Sequence, residues 1–305
     1  MFESISDTIS TALGDCLDIL PSIPEGSIDA ILTDLPFQIT RSEWDLIIPF
    51  NKYIILDNEA CYYQEALQQL LERGCTYQEF KLIWESEKKE GMWQQVKRVL
   101  KPSGVFVTSA SQPFTSKLVL SNLEMFKYCW VWEKSHATGF LDCKKKPMKQ
   151  HEDIVVFYDK QCTYNPQMYK KDPAKIRNGK KNPEVVRTTD SYNSFKDFVD
   201  RSVPEDVGYP LSIQYFATPY KGQGNKAVGG LHPTQKPVEL YEYLIRTYTN
   251  PGDTVLDFCM GSGTTGEACK NLNRRFIGIE KEQKYYDIAK ERLLKCLQQQ
   301  SLFNE

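Results

Sequence analysis

The stretch Thr254-Val-Leu-Asp-Phe-Cys-Met-Gly-Ser-Gly-Thr-Thr-Gly266, with Phe276-Ile-Gly-Ile-Glu280 soon after it, decides the fold. It reads as an apolar strand, a glycine-rich turn, a helix start, a second apolar strand and an acid at that strand's tip. Gly261, Gly263 and Gly266 have the G-x-G-x-x-G spacing, and Glu280 follows at about the 20-residue interval of a ribose-binding acid. In open α/β sheets ligands bind beyond the carboxyl ends of the strands, so a nucleotide-containing cofactor is expected here. The glycines let backbone pass close under it, and the helix N-terminus offers N–H groups to a pyrophosphate or a carboxylate. Ser262, Thr264 and Thr265 make the turn polar, and Asp257 precedes it; dinucleotide loops usually lack such an acid, which leans away from NAD. One helix and a short tail follow this unit, so the rest of the sheet is expected upstream.

Upstream the chain supplies strands that end on acids. Ala12-Leu-Gly-Asp15 and Ile28-Asp-Ala-Ile-Leu-Thr-Asp34 are two, joined through Pro21, Pro24 and Gly26. Residues 59–100 read as helical from the apolar spacing of Tyr62, Ala66, Leu70, Phe80, Trp84, Met92, Val96 and Val99. Further strands are expected at 105–109, 128–133 and 154–158, and helices at 117–126, from Val238 to Ile245, and at 281–297. Asp34-Leu-Pro-Phe37 stands at the carboxyl end of one strand. The Asp34 carboxylate and the Leu35 carbonyl can both accept from one exocyclic NH2 group, Pro36 stiffens the backbone between them, and Phe37 can stack on a flat ring. As an isolated string of four residues this fits a structural turn as well.

Bulk properties bound the choice. The chain has 305 residues, 41% hydrophobic and 26% charged, within the range of a soluble globular protein. No run is apolar enough to span a bilayer, and a cytoplasmic location is expected. Nine cysteines without a C-x-x-C pair argue against a disulfide scaffold or a zinc site, so no metal is expected. Net charge is −2, yet residues 134–187 hold 13 Lys/Arg against 6 Asp/Glu, a local +7 on a remainder of −9. Such a segment can bind a polyanion, although a solvated loop has the same composition.

Together the two motifs resemble those of the DNA amino-methyltransferases, with a D-P-P-Y-type tetrapeptide and an F-x-G-x-G-type cofactor loop. The tetrapeptide comes first and the loop last, as in the permuted β group of that family. The likeness extends to Gly14-Asp15, Trp44-Asp45, Leu100-Lys-Pro-Ser-Gly104, His151-Glu152 ahead of Ile154-Val-Val-Phe157, and His232-Pro-Thr-Gln-Lys-Pro237. It implies a Rossmann-like, doubly wound, mostly parallel α/β sheet with circularly permuted motif order, and S-adenosylmethionine as cofactor. It assigns Asp34, Leu35, Pro36 and Phe37 to the target amine. Asp257, Gly261, Ser262, Gly263, Thr264 and Thr265 surround the methionine moiety, with Phe258 and Cys259 counted in the same loop. Glu280 holds the ribose, Asp15 the adenine, and Thr234, Gln235 and Lys236 lie near the cofactor carboxylate.

The implied catalytic domain comprises 1–159 and 229–305, with a helical insertion at 52–90 and a target-recognition insert at 160–228. In that insert Lys170, Lys171, Lys175, Arg177, Lys180 and Lys181 are candidates for phosphate contacts on double-stranded DNA. The insertion is expected to cover its own core; a homodimer or DNA contact is the alternative. Leu35, Phe37 and Cys259 depart from the family pattern. An Asp-headed tetrapeptide favours adenine N6 as the target of a flipped-out base, with cytosine N4 next. RNA methylation, an NAD-linked oxidoreductase and an inactive DNA-binding protein stay open.

Overall fold

In a computed structural model of the chain, residues 2–37, 45, 48–57, 59–175, 204, 206–219 and 235–301 are described. They divide into two units, 1–165 with 212–305, and 166–211. In chain order the first unit begins with β1 (Glu3–Ser6), β2 (Ile9–Leu13), α1 (Cys16–Ile19) and β3 (Ile28–Thr33). A hairpin, β4 (Tyr53–Leu56) and β5 (Glu59–Tyr62), precedes α2 (Tyr63–Glu72), α3 (Tyr77–Glu87) and α4 (Met92–Val99). Then come β6 (Leu100–Ala110), α5 (Phe114–Ser121), β7 (Phe126–Thr138) and β8 (Lys149–Phe157). The second unit contributes β9 (Tyr169–Lys170) and β10 (Val207–Gly208). The first resumes with β11 (Ile213–Phe216), α6 (Val238–Tyr248), β12 (Thr254–Asp257), α7 (Thr264–Asn271), β13 (Arg275–Glu280) and α8 (Gln283–Ser301).

Nine of these strands form one sheet in the order β1-β2-β13-β12-β3-β6-β8-β7-β11. From β2 to β6 every pairing is parallel, β8 is antiparallel to both its neighbours, and β11 pairs parallel with β7. The sheet is apolar on both faces because helices cover both, as a parallel sheet requires. On one face Ala30, Val105, Val255 and Phe276 pack with α6, α7 and α8 through Leu244, Ala268 and Leu293. On the other Ile31, Phe106, Leu256 and Ile279 pack with α4 and α5 through Trp93, Val96 and Leu118. This is the expected Rossmann-like architecture. The first parallel strand in space order, β2, lies beside the last in sequence, β13, so the motif order is circularly permuted.

Three sequence expectations shift. The region read as helical from 59 starts with the strand Glu59–Tyr62, which pairs with Tyr53–Leu56 across a turn where Asp57 takes φ +49°. The helix expected at 117–126 runs from Phe114 to Ser121. Ile213–Phe216, read as part of the 160–228 insert, extends the main sheet against Val131–Lys134. Residues 53–87 enclose a core of their own, Ile54, Cys61, Ala66, Phe80 and Trp84. Thr76 starts α3 with a reciprocal cap: the Glu79 N–H donates to Thr76 Oγ1 (3.3 Å) and the Thr76 N–H to Glu79 Oε2 (2.8 Å). No described helix is long and apolar enough to cross a membrane.

Candidate active site

Four neighbouring parallel strands, β2, β13, β12 and β3, end on or just before an acid: Asp15, Glu280, Asp257 and Asp34 in turn. The sheet order therefore brings the glycine-rich turn and the tetrapeptide side by side. Val255 pairs with Ala30 and Leu256 with Ile31, so β12 and β3 finish level. Asp257 ties their ends together. It accepts from Thr33 Oγ1 (2.8 Å), from Thr265 Oγ1 (2.5 Å) and from the Cys259 N–H (3.1 Å). Burial raises its pKa to about 7 against the pull of these three donors.

The turn itself is packed tightly. Gly263 has φ +78°, and a side chain there would meet Ala289 of α8 at 3.1 Å. At Gly266 a Cβ would come within 2.7 Å of Phe276 and of Leu293, so glycine is what lets α7 lie close on the sheet. Arg292 of α8 donates to the Ser262 carbonyl (3.2 Å) and to Thr264 Oγ1 (3.0 Å), and pairs with Glu267. Glu280 Oε2 accepts from the Gly261 N–H and Oε1 from the Glu282 N–H, both at 2.8 Å. Burial raises the Glu280 pKa, and its backbone hydrogen bonds oppose this. Asp15 caps α1 by accepting from the Leu17 N–H (3.0 Å) and pairs with Lys281 (3.1 Å).

On the tetrapeptide side, Asp34 Oδ2 accepts from the Lys236 ammonium at 2.5 Å, and Oδ1 from the Ser109 hydroxyl. Lys236, 7% exposed, also faces Glu152 Oε2 at 3.5 Å, and Glu152 Oε1 is paired with Lys134. Burial raises the Asp34 pKa; Lys236 opposes this and Glu152 adds to it. Burial would lower the Lys236 pKa, but Asp34 and Glu152 outweigh it and hold the ammonium charged. Tyr241 lies buried beside Ser109 with its phenol pushed far above the usual range by burial, then by Asp34 and Asp257. Leu35 is buried and Phe37 stacks on Phe114 with ring centroids 5.1 Å apart.

The profile of the family described as DNA methylase (N6_N4_Mtase) matches residues 28–291. The chain belongs to the N6/N4 DNA methylase family. It is 28% identical over 285 residues to the Type II methyltransferase M.HpaI of Haemophilus parainfluenzae, covering 92% of this chain and 72% of that one. It is 38% identical over 207 residues to the Type II methyltransferase M2.LlaDCHI of Lactococcus lactis subsp. cremoris, covering 67% and 65%. Among solved structures, the PvuII DNA methyltransferase (cytosine-N4-specific) shares the fold, with a TM-score of 0.54 at 17% identity over 95% of this chain and 92% of that one. The M1.HpyAVI–SAM complex does so at a TM-score of 0.51 and 23% identity, over 93% and 98%.

Enzymes of the N6/N4 DNA methylase family draw the methyl group from S-adenosylmethionine, and the residues here fit that donor. Nothing described lies within 4 Å of where a Gly261 side chain would stand, and the Glu280 carboxylate, which accepts from the Gly261, Lys281 and Glu282 N–H groups, has about four lone-pair sites and so keeps acceptor capacity for a hydroxyl group. Phe258 is a different case: its ring is buried in the core, parallel to Phe106 at 6.2 Å, and Cys259 sits half-buried beside Cys16. Thr234, Arg177, Lys180 and Lys181 lie outside the described residues, and Lys175 closes a short turn from Pro173. Lys170 and Lys171 belong to the second unit, where the Lys171 N–H donates to the Asp206 carbonyl (2.7 Å). Sequence reasoning missed Thr33, Lys134, Ser109, Glu152 and Tyr241. Glu152 was legible only as part of the His151-Glu152 likeness, without a role of its own.

Proposed function

We propose that this chain methylates the exocyclic N6 amine of adenine in double-stranded DNA, on a base turned out of the helix, with S-adenosylmethionine as donor. The observation that carries the reading is the hydrogen bond from Thr33 to Asp257 (2.8 Å), which fixes the tetrapeptide strand against the cofactor-loop strand. When bound, the donor supplies a methyl group on a sulfonium, already a good leaving group. What the chain must add is position and charge. An aromatic amine is a poor nucleophile because its lone pair is delocalised into the ring. Asp34 Oδ and the Leu35 carbonyl can each accept one of its N–H bonds, which favours a pyramidal nitrogen and stabilises the positive charge that develops on it. Ser109 orients the Asp34 carboxylate, and the backbone carbonyl of Leu35 serves whatever side chain stands there. Glu280 and Asp15 stand at the tips of adjoining strands to hold the nucleoside end, and Thr264 and Thr265 the amino-acid end. In this reading Lys170, Lys171, Lys175, Arg177, Lys180 and Lys181 contact the DNA backbone, where release of counterions makes binding salt-dependent.

The test is transfer of labelled methyl groups to unmethylated DNA, followed by nucleoside analysis. N6-methyladenine is expected. N4-methylcytosine would replace the target assignment, and no label in DNA would remove the activity altogether. Asp34→Ala should lower transfer by on the order of 10²- to 10³-fold, as loss of an electrostatic partner at a reacting centre does, with donor binding retained. An Asp34→Ala enzyme that turns over at the unaltered rate sinks the assignment.

A further inference from the structure

β7 and β8 outrun the sheet. β6 ends at Ala110, opposite Asp153, but β8 begins four residues earlier, at Lys149, which pairs with Thr138 at the end of β7. At about 3.3 Å per residue the overhang is about 13 Å. It rises from the same carboxyl edge that carries Asp34, because β7, β6 and β3 run parallel and Thr33 is level with Thr108. Its root is part of the site: Glu152 of β8 and Lys134 of β7 pair with each other, Glu152 faces Lys236, and Lys149 donates to Ser111.

The tip of this hairpin has an unusual surface. Leu141 is 98% exposed and Phe140 73%, the two most exposed large apolar side chains among the described residues. Their backbone is nonetheless held. Gly139 turns at φ +89°, the Asp142 N–H donates to the Gly139 carbonyl (3.0 Å), Cys143 to Phe140 (3.2 Å) and Lys145 to Asp142 (2.8 Å). Lys144, Lys145 and Lys146 follow, all exposed, against a single acid, Asp142, itself 3.5 Å from Lys146. Two exposed apolar side chains on a hydrogen-bonded turn, followed by three exposed lysines, match a polyanion with an apolar interior open to insertion. They do not match open water, where the apolar area is a standing cost.

Duplex DNA with a base removed from its stack has that character. Phe and Leu are among the side chains that proteins insert between base steps, and a base drawn into the Asp34 site leaves a gap of that kind. We propose that Phe140 and Leu141 form a wedge that fills the space vacated by the target base, while Lys144, Lys145 and Lys146 grip the flanking phosphates. The inference rests on the reading that the substrate is a base turned out of DNA. It adds the surface that meets the duplex, on the catalytic unit and outside the 160–228 segment.

The test uses the full chain and a fluorescently labelled duplex of about three helical turns, either intact or carrying one stable abasic position. An abasic position has already given up stacking that the wedge must otherwise displace, so the unaltered protein should bind that duplex about tenfold more tightly. Phe140→Ala with Leu141→Ala should reduce the preference several-fold and leave the salt dependence unchanged. Lys144→Ala, Lys145→Ala and Lys146→Ala together should weaken both duplexes alike and flatten the salt slope by about 2.7, at roughly 0.9 per phosphate contact. Unaltered melting temperature and donor binding show that the variants are folded, which an exposed tip should allow. A protein without the abasic preference, a double variant that keeps it, or tip-dependent binding to phosphatidylserine vesicles in place of DNA would each overturn the wedge. Methyl transfer to DNA is measured separately: its absence sinks the proposed reaction, whereas the part of the abasic preference lost with Phe140 and Leu141 reports on the wedge.

Discussion

A carboxylate stabilises a developing cation only while it is ionised, and Asp34 is a half-buried carboxylate whose charge decides how well it can do so. The groups that face it are Lys236, Glu152, Ser109 and Tyr241, with Asp257 felt across the strand ends. Burial and Glu152 push its pKa up; Lys236 and Ser109 pull it down. The sign of each substitution follows. Lys236→Met removes the principal opposing charge, so Asp34 takes up a proton at higher pH and methyl transfer fails earlier as pH falls. Glu152→Gln removes a like charge and moves the same limb the other way. The measurement is kcat/KM for methyl transfer against pH. Acid limbs that stay together in both variants would remove Asp34 as the titrating group. Lys236 also shows what sequence alone conceals. The string His232-Pro-Thr-Gln-Lys-Pro237 is legible, but the partner of its lysine is 202 residues away and is fixed only once α6 has packed over β3.

Strands with a buried apolar run were legible, and half-exposed ones were not. The strands at 28–33, 254–257 and 275–280 carry enough Val, Ile and Leu to be read directly, and with them the two motifs that face each other. β5 was missed because Glu59-Ala-Cys-Tyr62 is strand only through its pairing with Tyr53–Leu56. β11 was missed because four residues on a half-exposed edge, Ile213–Phe216, carry little pattern of their own. The hairpin and helices at 53–87 make the clearest energetic case among the elements. Phe80 is fully buried between Tyr63 and Trp84, with ring centroids 5.0 and 6.1 Å away. Truncation of a buried Phe to Ala leaves a cavity and costs about 3–5 kcal/mol. Phe80→Ala should therefore loosen 53–87 first, seen as faster amide exchange confined to those residues, while donor affinity holds because this core is separate from the two that flank the sheet. Exchange that rises equally across β12 and β13 would show that the cluster is continuous with the sheet's own core.

At the scale of the molecule, the permuted order makes the site a contract between distant parts of the chain. β2 and β13 pair from Phe276↔Ile9 to Glu280↔Leu13, and Glu3 accepts from Tyr286 (3.0 Å) and Lys290 (2.6 Å) of α8. The glycine-rich turn is thus held from below by an N-terminal strand's neighbours and from outside by α8. α8 has two tasks that can be separated. Ala289 and Leu293 fill the core under Gly263 and Gly266, whereas Arg292 reaches the loop through Ser262, Thr264 and Glu267. Arg292→Ala keeps the apolar face and removes only the charged hydrogen bonds. Bonds to a charged group contribute about 1.5–3 kcal/mol, and here they order the glycine-rich turn, which under the proposed function the donor should find already formed. The variant should melt within a few degrees of the unaltered protein but bind S-adenosylmethionine at least about tenfold more weakly by calorimetry, a loss of about 1.4 kcal/mol. Unchanged affinity would mean that Asp257 and Glu280 suffice to fix the turn, and that α8 serves the core alone.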